Sequence, residues 1–190
     1  MRRAPYSMLG AAHGDDTMLL RPLPYVGDAG WFRGARFAAP PDEPLVVEVV
    51  EEYEEDTAPL SWSPSVPLMR DDLVACLRGC GVDNLDAYPA VIVGEETGLE
   101  LRGYSAVNLV GLVRAASPAG TAYGPGTASR LLDADIDALA IDPARAMGLL
   151  MFRLAECVTG VVVHDSVRRA VEARREFRDV RFVEPADWMG

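Results

Sequence analysis

Catalysis needs reactive groups held at matched spacing, and this sequence offers few starting points. His164 and Asp165 are the one histidine and acid that stand side by side. A nucleophile–histidine–carboxylate device needs the imidazole within reach of both partners. Neighbouring residues of an extended segment point to opposite faces, so Asp165 reads better as the cap of the helix that follows. His13-Gly14-Asp15-Asp16 gathers metal-ligand types, but it lies in a terminal segment without supporting ligands and reads as a turn. Cys76 and Cys80 stand four apart on an expected helix, half of a four-ligand zinc site. No second pair follows. With Cys157 the count is odd, and with no secretion signal expected, the thiols should pack as small buried hydrophobes.

Phosphate chemistry fares no better. The loop Gly120–Gly126 lacks the Gly-Lys-Ser/Thr ending of a phosphate-binding loop, and the chain has no lysine to supply it. All 18 basic residues are arginine, which fits a GC-rich bacterial genome. Carboxylates are plentiful, yet none sits between apolar strands as a glycosidase or protease pair does. The enzymatic alternative is a small hydrolase or transferase built on scattered acids and arginines such as Arg153. The main expectation is a non-enzymatic protein with no metal and no cofactor.

Binding has clearer candidates. Glu48, Glu51, Glu52, Glu54, Glu55 and Asp56 form the densest acidic run, with Tyr53 inside it. A strand ending in carboxylates can occlude a basic cleft, and such complementarity speeds encounter more than it deepens affinity. Tyr53 would supply an aromatic anchor. The loop Ala119–Thr127, with Tyr123 near its tip, is a second recognition candidate.

The elements that would position these groups can be read from periodicity. Residues 1–44 are rich in Pro and Gly, with Trp31-Phe32 and Arg36-Phe37 as short strand pieces over an edge of the core. Leu45–Val50 is a β-branched strand bounded by Pro44. Asp71 caps a helix with Leu73, Val74 and Leu77 on its apolar face, ending at Gly79 or Gly81. Tyr88–Val93 and Leu99–Tyr104 read as a strand pair around a Gly94–Gly98 turn. Ser105 is expected to cap a helix carrying Val107, Leu109, Val110 and Val113. Leu139–Ile141, Val161–Val163 and Val180–Val183 read as strands and Leu149–Phe152 as a second apolar run, with an Asp165-capped helix between the last two strands.

Residues 67–89 and 162–185 share an order of extended start, Asp-capped helix, turn, short strand and Pro. Met69-Arg70-Asp71-Asp72-Leu73 runs parallel to Val163-His164-Asp165-Ser166-Val167. The fold class is therefore α+β, a mixed β-sheet packed against about three helices, and the pattern allows two similar helix–strand units. Residues 1–60 read as a β- and turn-rich segment packed on a 61–190 core, together one globular unit.

Composition sets the outer bounds. The chain is 49% hydrophobic and 25% charged, ordinary for a folded domain. No run reaches the roughly 20 apolar residues that span a bilayer, and the basic start leads into no signal-peptide core. A cytoplasmic protein is expected, as monomer or homodimer. A net charge of −11 argues against direct nucleic-acid binding, which needs a basic footprint, and favours basic protein partners.

From about Pro67 to Phe182 the chain resembles a bacterial family of polymorphic-toxin immunity proteins, the eleventh of its numbered series, named after a myxobacterial member. The resemblance rests on ordered landmarks. Asp72–Leu77 through Gly81-Val82-Asp83-Asn84-Leu85 and the Tyr88-Pro89 strand form the first. Gly103-Tyr104-Ser105-Ala106-Val107-Asn108-Leu109-Val110, resembling the family's Tyr-x-x-x-Asn helix entry, Met151-Phe152-Arg153-Leu154, and Val162–Val167 through Val180-Arg181-Phe182 follow. Family members often carry an acidic pair where this chain has Arg114-Ala115-Ala116-Ser117. The resemblance implies a cytoplasmic inhibitor of a cognate toxin, a nuclease being one suitable target, and brings no catalytic motif. The rival to inhibition is an adaptor that binds another protein without blocking it.

Overall fold

A computed structural model of the protein describes residues 4–10, 19–23, 30–51, 58–63, 66–94, 98–126 and 133–190. The chain begins with β1 (Tyr6–Gly10), β2 (Leu19–Leu20), β3 (Leu45–Glu51), β4 (Leu60–Ser63) and β5 (Val66–Arg70). Helix α1 (Asp71–Gly79) leads to β6 (Leu85–Gly94), β7 (Leu99–Leu109) and β8 (Leu112–Val113). Then come β9 (Ala122–Tyr123), β10 (Ile136–Ala138), the single turn α2 (Pro143–Ala146), β11 (Met151–Leu154), β12 (Val161–His164), α3 (Asp165–Glu172) and β13 (Arg181–Val183).

The strands form a six-stranded sheet of order β2-β3-β6-β7-β5-β4, a five-stranded sheet of order β13-β1-β12-β11-β8, and the two-stranded ribbon β10-β9. Both larger sheets are mixed, because β3 runs parallel to β6 and β8 parallel to β11 while the other pairs are antiparallel. The fold is α+β.

Local chemistry explains the helices. In α1, Leu73, Val74, Cys76 and Leu77 make the buried stripe, Asp71 and Asp72 sit at the positive N-terminal end and Arg78 at the negative end. The helix stops at Cys80, and Gly81 supplies the left-handed turn at φ 93°. In α3, Val167 and Val171, one turn apart, are buried.

The sequence repeat is structural. The order β4-β5-α1-β6 recurs as β11-β12-α3-β13, and the sheet order β6-β7-β5-β4 recurs as β13-β1-β12-β11. The strand that completes the first unit, β7, follows β6 in the chain, whereas its counterpart β1 comes from the start of the protein. The two units are thus related by circular permutation. Detail agrees: Tyr104 and Ser105 lie opposite Arg70 and Met69, as Tyr6 and Ser7 lie opposite His164 and Val163.

The two helices contact each other, and both units share one core. It includes Leu9, Met69, Leu73, Leu77, Leu85, Val107, Leu109, Met151, Val161, Val163, Val167 and Val171. A second cluster, with Tyr6, Met8, Phe152, Leu154 and Val162, packs against the β9-β10 side. A third, with Trp31, Leu45, Val47, Leu68, Ile92 and Tyr104, lies on the other face of the six-stranded sheet. Asn84 ties the units together, its Nδ2 donating to the carbonyls of Val110 and Met151, both at 2.9 Å.

Several expectations are revised. The helix expected from Ser105 is the second half of β7, followed by β8. Residues Tyr104–Leu109 are buried on both faces, and a run buried that way carries no period to separate strand from helix. Trp31-Phe32 and Arg36-Phe37 form no strand: the first is a turn and the second irregular chain, with Trp31 in the third cluster and Phe32 and Phe37 packed against it. The strand expected at Leu139–Ile141 lies earlier, at β10, with Ile141 making one isolated bridge to Ala116. The segment Tyr6–Gly10 is central, lying between β12 and β13.

Candidate functional site

Strand β3 places the acidic candidate. Alternation buries Leu45 and Val47 while Val46 and Val50 stand 58% and 49% exposed, with Glu48 between them on the same face. Glu48 pairs with Arg21 at 2.8 Å, both side chains more than half exposed, an ion pair of little energetic weight. Glu51 closes the strand opposite Leu19. Glu52, Tyr53, Glu54, Glu55 and Asp56 lie outside the described residues. The described part of this face is an apolar–acidic–apolar row that leads into the acidic run.

Tyr123 is not at a free loop tip. It sits in β9 opposite Ile136, half-buried, and burial pushes its hydroxyl up, helped by the charge of Glu156. The following Gly124 is pressed so closely on Asp135 that a Cβ would stand 2.2 Å from the carboxylate. The structure therefore separates Tyr123 from Glu48, in a different sheet.

Sequence reasoning missed Glu156. It is 6% exposed, its backbone carbonyl accepts from Ala134 N–H at 2.9 Å, and Oε2 has no hydrogen-bond partner among the described residues. Desolvation raises its pKa, against the pull of the Glu156 and Ala116 N–H groups and of Arg114 and Arg145. Its sequence signal was faint, a single acid just after the apolar run of β11.

Arg153 carries a clearer one, a charge at an alternating position inside Met151-Phe152-Arg153-Leu154. The residue is completely buried. One guanidinium nitrogen, Nη1, donates to the Val158 carbonyl, the group stands 5.2 Å from the centre of the Phe32 ring, and Nε and Nη2 have no partner among the described residues. Desolvation pulls its pKa down to about 10.

The expected assignment at His164-Asp165 is reversed. His164 is the cap: its Nδ1 accepts from Ser166 N–H at 3.2 Å and stands 2.8 Å from the Ser166 hydroxyl. Asp165 is the first helical residue and accepts from Ser7 Oγ at 3.2 Å. The pair His164–Ser166 has the spacing of a base and a nucleophile, but the adjacent carboxylate holds Ser7, and the imidazole meets the edge of Tyr6 with ring centres 5.2 Å apart. Cys76 and Cys157 are buried and Cys80 partly so, all as free thiols, with desolvation raising Cys76. His13-Gly14-Asp15-Asp16 lies outside the described residues. Among the described residues no group of three or more His, Cys, Asp or Glu is placed to hold a metal ion, and no helix is long and apolar enough to cross a membrane.

A comparison with known protein families finds none whose profile matches this chain, and a comparison with curated proteins finds no match.

Proposed function

We propose that this protein is a cytoplasmic immunity protein that binds a cognate bacterial toxin domain and blocks its active site. The observation that carries the reading is the outward face of β3, where Val46 and Val50 are 58% and 49% exposed around Glu48 and run toward Glu51–Asp56. Exposed apolar side chains beside charged groups suit a protein interface. A net charge of −11 selects a basic occupant, and a nuclease domain is basic because it must hold phosphate. The resemblance from Pro67 to Phe182 supports the same role, although its Tyr104–Asn108 landmark lies in strand β7 and not at a helix entry. The protein acts as a monomer or homodimer, without cofactor.

Co-expression tests this. The C-terminal domain encoded by the neighbouring gene is expressed in a bacterial host with and without this protein, and the pair is then purified. Rescue of growth with a stable one-to-one complex supports immunity by direct binding. A complex without rescue identifies an adaptor. Persistent toxicity without a complex removes the reading and leaves the hydrolase or transferase alternative, for which Arg153 and Glu156 are the first residues to substitute.

A further inference from the structure

A buried arginine is ordinarily satisfied by a carboxylate or by several carbonyls, because an uncompensated charge in a protein interior is strongly unfavourable. Arg153 has one carbonyl, that of Val158. Strand β11 holds the residue between Leu112 of β8 and Val161 of β12, in the interior of the five-stranded sheet. Alternation sends Phe152 and Leu154 into the second hydrophobic cluster and Arg153 to the opposite face, beneath Phe32.

The unpartnered nitrogens are informative. Nε and Nη2 form one edge of the planar guanidinium fork, and that edge donates two parallel N–H groups to a carboxylate or phosphate. Here the edge as a whole is left without an acceptor among the described residues, while the outer nitrogen Nη1 is used. The cover over it is short and close. Gly34 accepts from Gly111 N–H at 2.7 Å, and the position of a Cβ on Gly34 is 2.7 Å from the Leu112 nitrogen, so the Phe32–Ala35 segment lies directly on the strand beside Arg153. The Phe32 side of the guanidinium is its covered face, and Phe32 itself is only half-buried.

We propose that Arg153 is an oxyanion site: when the half-buried Phe32 moves off the guanidinium, a single carboxylate or phosphoryl group of a small molecule is held bidentately by Nε and Nη2. The neutral alternatives are disfavoured by the same geometry, since an edge of two parallel donors is matched by two oxygens on one atom. The site also accounts for an arginine where a methionine of similar length would pack without desolvation cost. It is independent of toxin binding, and a failed rescue experiment leaves it standing.

The test uses the full chain and two probes, acetate and inorganic phosphate, each against sodium chloride at matched ionic strength. Wild-type protein is expected to show a saturable rise in melting temperature of about 3 °C or more with one of them, acetate marking a carboxylate site and phosphate a phosphoryl site. Arg153→Met should lose that response while melting no lower than wild type in chloride. Equal responses in both proteins, or no saturable response to either probe in wild type, overturn the proposal. Should Arg153→Met fail to fold, nitrogen–proton spectra of the wild-type arginine side chains decide. A solvent-protected Nε–H resonance that moves to saturation with either probe supports the site, and one that stays fixed with both overturns it.

Discussion

The Ser105 hydroxyl donates to the Asp71 carboxylate at 2.8 Å, joining a central strand to the first turn of the helix packed on it. Ser7 and Asp165 repeat the contact in the second unit at 3.2 Å. In each case a strand runs straight into a helix, the first helical residue is Asp, and the acceptor is reached by a Ser that faces the residue two before it. The carboxylate thus serves the N-terminal end of the helix dipole while its lone pairs fix the strand beside it. The second contact matters more to the topology, because Ser7 lies on the strand contributed by the start of the chain. Arg168 adds to it, donating to Ser7 Oγ at 2.9 Å and to Glu184 at 3.3 Å.

Ser105→Ala should therefore lower stability by about 2 kcal/mol, a hydrogen bond to a charged group being worth about 1.5–3 kcal/mol net. Ser7→Ala removes two such bonds and should cost more, about 3 kcal/mol. Urea unfolding checks both, with a lower midpoint and an unchanged slope. A smaller loss for Ser7→Ala than for Ser105→Ala would show that β1 is held by packing alone.

The repeat was legible because helix, turn and strand signals fall in the same order twice. Its permutation was not. Tyr6-Ser7-Met8-Leu9 is a short apolar run flanked by Pro5 and Gly10 with no period to mark it, and its partners lie more than 150 residues away, at Val162–His164. Ser105–Leu109 failed for the related reason that burial on both faces erases alternation. Glu48 was legible as the first carboxylate of the acidic run on a β-branched strand, but its outward phase was not, because the other five residues of Leu45–Val50 are all apolar. Glu156 was not, because its burial is set by the β9-β10 ribbon and by Ala116, which no local pattern connects to it.

Gly34 is a sharp test of the Phe32–Ala35 cover. It has φ of +62°, and a Cβ would stand 2.7 Å from the Leu112 nitrogen and 2.8 Å from the Gly111 carbonyl carbon. Gly34→Ala should cost about 3 kcal/mol, combining a left-handed backbone with a clash against main chain that cannot rotate away. Gly111→Ala is the control: its φ of +111° is also unfavourable, but nothing lies within 4 Å of the added carbon. Paired thermal melts should rank Gly34→Ala well below Gly111→Ala.

Glu156 makes stability pH-dependent with a definite sign. Its pKa is raised in the folded chain above the ordinary 4.5, so the folded state holds the proton more tightly than the unfolded state. That contribution is fully present below 4.5 and is lost as pH rises through the folded value. Glu156→Gln removes the titration while keeping an acceptor for the Ala116 N–H. The variant should match wild type near pH 4 and be at least as stable at pH 7, a difference read by urea unfolding across that range. A wild-type advantage that grows toward pH 7 would mean that Arg114 and Arg145 outweigh desolvation.

Under the toxin binding proposed above, the acidic run would steer the encounter and the exposed valines of β3 would hold the complex. Charges of one sign act at long range, so Glu51, Glu52, Glu54 and Glu55 replaced together by Arg should slow association with a basic toxin domain at least about tenfold at low salt. The same change should remove most of the salt dependence of the association rate. Glu48 is left in place, because its bond to Arg21 belongs to the junction of β2 and β3. Val46→Ser with Val50→Ser does the opposite. It removes apolar area that is buried only in the complex, so it should raise the dissociation rate while leaving association nearly unchanged. Stopped-flow association and dissociation at two salt concentrations separate these effects. If the acidic substitutions leave both the rate and its salt dependence as they were, the toxin docks on another face, and β3 is a solvated strand whose charge serves the protein alone.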